Sequence, residues 1–171
     1  MHRQVDATGR HGEMEVEELL GRPPRGRVRV VVRMGGIGRA IVVESAPLFD
    51  DGTPMPTLYW LVDPRLKRAV SELESAGWVR RAEQLVDPDM LQSAHDQYRA
   101  LRDSRIPATH RGPRPSGGVG GTRRGVKCLH AHLAYFLVGG DDPVGRLVAE
   151  MLDPSIGEVE GIPQDGLRGG W

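Results

Sequence analysis

A chain of 171 residues can bury one sizeable core but is too short for two ordinary domains and a linker. Its 39% hydrophobic and 27% charged residues suit a globular protein, while 23 Gly and 13 Pro assign much of the chain to loops and turns. Lys plus Arg and Asp plus Glu both number 23, so overall charge argues for neither nucleic acid nor a membrane surface as a partner.

Residues Met14 to Gly21 (MEVEELLG) read as a short acidic helix stopped by Gly21 and the prolines Pro23 and Pro24. The β-branched runs Arg27 to Arg33 and Ala40 to Glu44 flank MGGIGR (Met34 to Arg39), a hairpin signal. Gly35, Gly36 and Gly38 lack the third glycine of a dinucleotide-binding fingerprint, so they read as a turn. After a turn-rich stretch (Pro47 to Pro56), Thr57 to Val62 form a third strand.

Asp63-Pro64 then opens a helix with Asp63 as N-cap and an apolar stripe of Leu66, Val70, Leu73 and Trp78. A further helix starts at Asp87-Pro88 and ends near Asp103, and its residues His95, Tyr98 and Arg102 share one face. The stretch Ser104 to Gly125 has no helical or strand period and reads as a long loop. A helix resumes through Val126, Leu129, Leu133, Phe136 and Leu137 and ends at Gly139-Gly140, and Asp142-Pro143 opens the last, which ends near Leu152. The expected class is α+β: a small antiparallel sheet of about three strands packed against four to five helices. The expected organisation is an N-terminal extension (1–20), one domain (21–152) and a flexible tail (153–171).

No apolar run approaches the roughly 20 residues needed to cross a bilayer, and the first residues lack the apolar stretch of a signal peptide. The lone Cys128 rules out an internal disulfide and fits a reducing compartment, so a cytoplasmic protein is expected.

The neutral total hides a strong local asymmetry. From Ser104 to Gly140 there is no acid, while Arg105, Arg111, Arg114, Arg123, Arg124 and Lys127 supply positive charge. Gly120 and Gly121 precede these cations and a helix start, an arrangement that suits an anion such as phosphate. The expected anion-binding set is Gly120, Gly121, Arg123, Arg124, Lys127 and Arg102. It is not a Walker motif, because Val126 intervenes before Lys127 and Cys128 stands where Ser or Thr would hold magnesium. The basic loop has no interleaved aromatic side chain to stack on bases, which disfavours nucleic acid as a partner.

Cys128, His130 and His132 are the densest set of soft metal ligands, suited to zinc or another transition metal. In a continuous helix, a turn of about 100° per residue puts Cys128 near His132, with His130 on the other flank. Cys128 would meet His130 only if the helix begins after Cys128. Either pair needs ligands from elsewhere, with Asp63 and His95 the candidates, so the expected metal set is Asp63, Cys128, His130 and His95.

Taken in order, the blocks PTLYWL (Pro56 to Leu61), SELESAG (Ser71 to Gly77), AHDQYRALRD (Ala94 to Asp103), GGTRRGVKCLH (Gly120 to His130) and DPVG (Asp142 to Gly145) resemble the actinobacterial domain-of-unknown-function family 501. The similarity runs over roughly Gly21 to Leu152. It implies Cys or His in many members where this chain has Asp63, which favours Asp63 with Cys128 and His130 as ligands, while His132 lies outside the shared KCLH pattern. The family's genes often neighbour those for a septum-formation initiator and an exopolyphosphatase, which points to cell division or polyphosphate. The functional expectation is a metal- or phosphate-binding domain, with hydrolysis of a phosphorylated compound as its activity. The alternative is a non-catalytic module that docks a protein partner.

Overall fold

The computed structural model describes residues 10–35 and 38–152; the expected tail, 153–171, lies outside them. Helix α1 (Arg10–Leu20) leads into strands β1 (Val28–Arg33), β2 (Ala40–Ser45) and β3 (Tyr59–Leu61). Helices α2 (Pro64–Ser75), α3 (Trp78–Leu85), α4 (Pro88–Ser104), α5 (Leu129–Leu137) and α6 (Pro143–Leu152) follow. The α+β class expected from the sequence is therefore the observed one. The additional helix is α3: Gly77 sits at φ 82°, a left-handed conformation that stops the chain after α2. Trp78 thus starts α3 instead of ending the stripe of α2.

The sheet is antiparallel in the order β1-β2-β3. Its central strand β2 is buried at every position, because both faces of the sheet are covered. On one face α1 lays Val16, Leu19 and Leu20 against Val28, Val30, Val43 and Val62. Arg33 ties α1 down through Glu15 at 2.7 Å. The opposite face, with Val32, Val42, Tyr59 and Leu61, joins the main core. At its middle lies α5, buried at Leu129, Ala131, His132, Leu133, Ala134, Tyr135 and Leu137. A helix buried nearly all round is the centre about which the others pack.

Asp63-Pro64, Asp87-Pro88 and Asp142-Pro143 start helices by the same physics: proline accepts the first helical φ, and the aspartate takes up orphan amides. Asp63 Oδ1 accepts from the Arg65 and Leu66 amides, and Asp87 Oδ1 from Asp89 and Met90. Asp142 Oδ1 accepts from Gly145 N–H at 2.8 Å.

One face of α4 presents three side chains to distant backbone, and two of them, Arg102 and His95, hold the long stretch between α4 and α5. Buried Arg102 donates to the carbonyls of Pro56, Pro115, Ser116 and Gly117. The Tyr98 hydroxyl accepts from Leu58 N–H at 2.6 Å, and burial pushes its pKa up to about 12. His95 accepts from Val119 N–H through Nδ1 at 3.1 Å and lies 2.9 Å from the Gly125 carbonyl through Nε2. No helix among the described residues is long and apolar enough to cross a membrane.

Candidate metal centre

The first turn of α5 leaves amides without helical partners. Cys128 occupies the N-cap position in an extended conformation but gives no side-chain cap. The cap comes from another helix: Glu74, near the end of α2, accepts from Leu129 N–H through Oε1 at 2.8 Å. A carboxylate suits this place because a helix N-terminus carries partial positive charge.

The same Glu74 oxygen lies 3.1 Å from His130 Nδ1, and the Cys128 sulfur lies 3.7 Å from that nitrogen. The three ligand atoms fall within 4.8 Å of one another, and among the described residues no other His, Cys, Asp and Glu side chains form a group of three with that property. The other ring nitrogen, Nε2, faces the Lys67 carbonyl at 3.1 Å and the Ser71 hydroxyl at 3.3 Å. Lys67, Ser71 and Glu74 lie four and then three residues apart, so one face of α2 grips the imidazole from both sides. All three members are part-buried and remain within reach of solvent.

The charge balance favours a protonated ring when no ion is bound. The Cys128 sulfur, with further help from the Lys67 carbonyl and the Glu74 carboxylate, raises His130 to a pKa of about 9 against the opposing pull of burial. A metal at this place would compete with that proton, since imidazole binds metal only through a free lone pair.

Of the four ligands expected from the sequence, the structure brings together Cys128 and His130, and supplies Glu74 where Asp63 or His95 was expected. Asp63 is fully buried, caps α2 with one oxygen and pairs with Arg39 through the other. His95 has both ring nitrogens engaged by the backbone of the 117–125 loop. His132 faces away from this group, bonded through Nδ1 to Asp142 Oδ2 at 2.7 Å. Because α5 begins only after Cys128, the Cys128–His130 pairing is the one realised. Glu74 was missed because nothing in its helix spacing distinguishes it from a solvated acid. Its only signal was its place in the SELESAG block.

The expected anion set divides in the same way. Arg102 is wholly inside the protein with its guanidinium given to carbonyls and to Asp103, so it holds the loop and has no donor left for a ligand. Gly120 and Gly121 are a tight turn at φ 65° and 77°, and the Gly121 amide donates to Gly118. Arg123, Arg124 and Lys127 are exposed and make no ion pair among the described residues. Two acids bind the backbone of this segment: Glu83 accepts the Val126 amide at 2.8 Å, and Glu74 the Leu129 amide.

A buried ionic group that the sequence did not single out lies on the sheet, at Glu44. Glu44 on β2 is bonded by Arg29 of β1 at 2.6 Å and by Arg105 beyond α4. Burial pushes the Glu44 carboxyl up, with the two arginines pulling it back toward ionisation. This group ties the sheet to the end of α4, and its side chains are too enclosed to serve as a ligand site.

A family model described as a protein of unknown function (DUF501) matches residues 31–150. No curated protein matches the chain, and no solved structure does.

Proposed function

The chain belongs to the DUF501 family, and we propose that it is a metal-binding domain whose ion is held by Cys128, His130 and Glu74. The observation that carries this reading is the convergence of thiol, imidazole and carboxylate atoms from α2 and the head of α5 within 4.8 Å. Metal–sulfur and metal–nitrogen bonds of about 2.3 and 2.1 Å at a tetrahedral angle imply a sulfur to nitrogen separation of about 3.6 Å. The observed value is 3.7 Å. The Lys67 carbonyl on the far nitrogen is the kind of outer partner that fixes the tautomer and orientation of a ligating histidine.

A mixed sulfur, nitrogen and oxygen set suits zinc or a similar transition metal better than magnesium or calcium. Three protein ligands leave a fourth position for water or substrate, the pattern of a catalytic site and not of a closed structural one. The unpaired Arg123, Arg124 and Lys127 precede Cys128 in the chain and suit an anionic ligand. Hydrolysis of a phosphorylated compound is the activity that joins these two features.

Elemental analysis of untagged protein tests the reading. The expected result is about one equivalent of a transition metal, lost in Cys128→Ala and in Glu74→Ala. Less than about a tenth of an equivalent, unchanged by Cys128→Ala, overturns it. Cobalt substitution adds an independent readout, since a cobalt–thiolate charge-transfer band must vanish with Cys128.

A further inference from the structure

Away from the Glu74, Cys128 and His130 group, His132 and His95 meet edge to face, with ring centroids 5.6 Å apart. Only 1% of each is exposed. His132 Nδ1 lies 2.7 Å from Asp142 Oδ2, so in the neutral ring Nδ1 is the donor and Nε2 the acceptor. That atom is buried and has no hydrogen-bond partner among the described residues. An orphaned buried acceptor costs free energy and marks a place where a ligand's donor would be favoured.

His95 lies against the loop from Gly117 to Gly125, and His132 stands behind it on the other side of the ring contact. His95 binds both ends of it with one ring, accepting from Val119 N–H through Nδ1 and donating from Nε2 to the Gly125 carbonyl. Gly117, Gly120, Gly121 and Gly125 all sit at positive φ, backbone conformations that favour glycine, so little side-chain packing holds this part of the loop beyond its contacts with His95. Gly118 lies so close to the ring that a Cβ there would come within 2.6 Å of His95 Nδ1.

We propose that the 117–125 loop is a strap closed by neutral His95 over the His132 acceptor, and that protonation of His95 unlatches it. The mechanism needs no movement elsewhere. A proton on Nδ1 removes the acceptor that holds Val119 N–H and sets a second donor against it. The groups facing His95 are His132 on α5, Asp142 ahead of α6 and Asp96 on α4 itself. Burial is the largest influence and holds the pKa of His95 below its ordinary 6.5, so the strap stays closed at neutral pH and opens on the acid side. The ligand class it admits is a small hydrogen-bond donor able to reach His132 Nε2.

Native-state amide exchange, corrected for intrinsic rates, tests the latch at about pH 7.5 and about pH 5. The expected result is a loss of protection at Val119 of roughly tenfold or more at the lower pH, with the amides of β2 and the middle of α5 unchanged. In His95→Gln the pH dependence of Val119 protection disappears. Protection that does not change with pH, that changes equally in His95→Gln, or that falls together with the core overturns the proposal. A second measurement holds pH constant: with His95→Ala at neutral pH, carbethoxylation of His132 by diethyl pyrocarbonate rises over the wild type while core amides stay protected. Failure of His132 to gain reactivity in that variant also overturns it, and neither result bears on metal at Cys128.

Discussion

Glu74 caps α5 from outside, its carboxylate accepting the Leu129 amide at 2.8 Å while standing 3.1 Å from His130 Nδ1. One oxygen thus serves both the start of the central helix and the candidate metal centre. Glu74→Ala therefore loses about 1 kcal/mol of stability through the cap alone, and loses metal as well. Glu74→Gln keeps an acceptor for Leu129 N–H but surrenders the charge. It should retain most of the thermal stability while losing metal affinity, and paired thermal melts and metal titrations separate the two effects.

The metal-free protein carries a pH signature at the same place. His130 has its pKa raised to about 9, above the 6.5 of a free imidazole. The sign follows from the charged ring being the better-bonded form in the folded state: its contribution is complete below pH 6.5 and is lost as pH rises through about 9. Melting temperatures of chelator-treated protein should fall across that window. The same scan on His130→Gln should be flatter, and a wild-type profile that is flat from pH 6.5 to 9 contradicts the arrangement.

Arg102 is the residue through which α4 orders the long loop. Arg102→Ala strips the carbonyls of Pro56, Pro115, Ser116 and Gly117 of their buried donor. The expected cost is about 3 kcal/mol or more, because unsatisfied buried carbonyls each forfeit their hydration. Arg102→Lys keeps the charge but cannot reproduce a planar fork that reaches several carbonyls, so it rescues only a minor part. Chemical denaturation reads the loss, and tryptic cleavage after Arg123 or Arg124 should accelerate in both variants.

The two helical spacings that place His95, Tyr98 and Arg102 on one face were plain in the sequence. What that face holds was not. A repeat of three and four residues states which side chains travel together, but the backbone groups they bind come from residues as distant as Pro56 and Leu58. The Asp-Pro helix starts and the alternating valines of β1 were legible because their causes are local. Glu74 and Asp63 show the opposite case. Both are acids of α2 or its cap; the capping by Asp63 is local, but only tertiary packing brings Arg39 to its other oxygen and the head of α5, with Cys128 and His130, to Glu74. The end of the helix mattered as much: whether Cys128 meets His130 or His132 depended on a boundary of one residue, which propensity does not define.

Glu44 provides a last check on how the sheet is joined to α4. Its carboxylate is fully buried between Arg29 and Arg105, which are themselves largely covered, at 17% and 10% exposure. Glu44→Gln keeps the shape and removes the charge, so two enclosed guanidinium groups lose the carboxylate they share. Removing one partner of a buried ionic group typically costs about 3 to 5 kcal/mol, because the desolvated charges it faced lose their attraction. Replacing Arg105 alone with Met should cost less, since Arg29 still neutralises Glu44 from the neighbouring strand at 2.6 Å. Urea midpoints for the two variants give the comparison directly. If Arg105→Met proves the more damaging, the Arg29 to Glu44 pair is not the stronger arm of the group, and the end of α4 depends on Arg105 for more than charge.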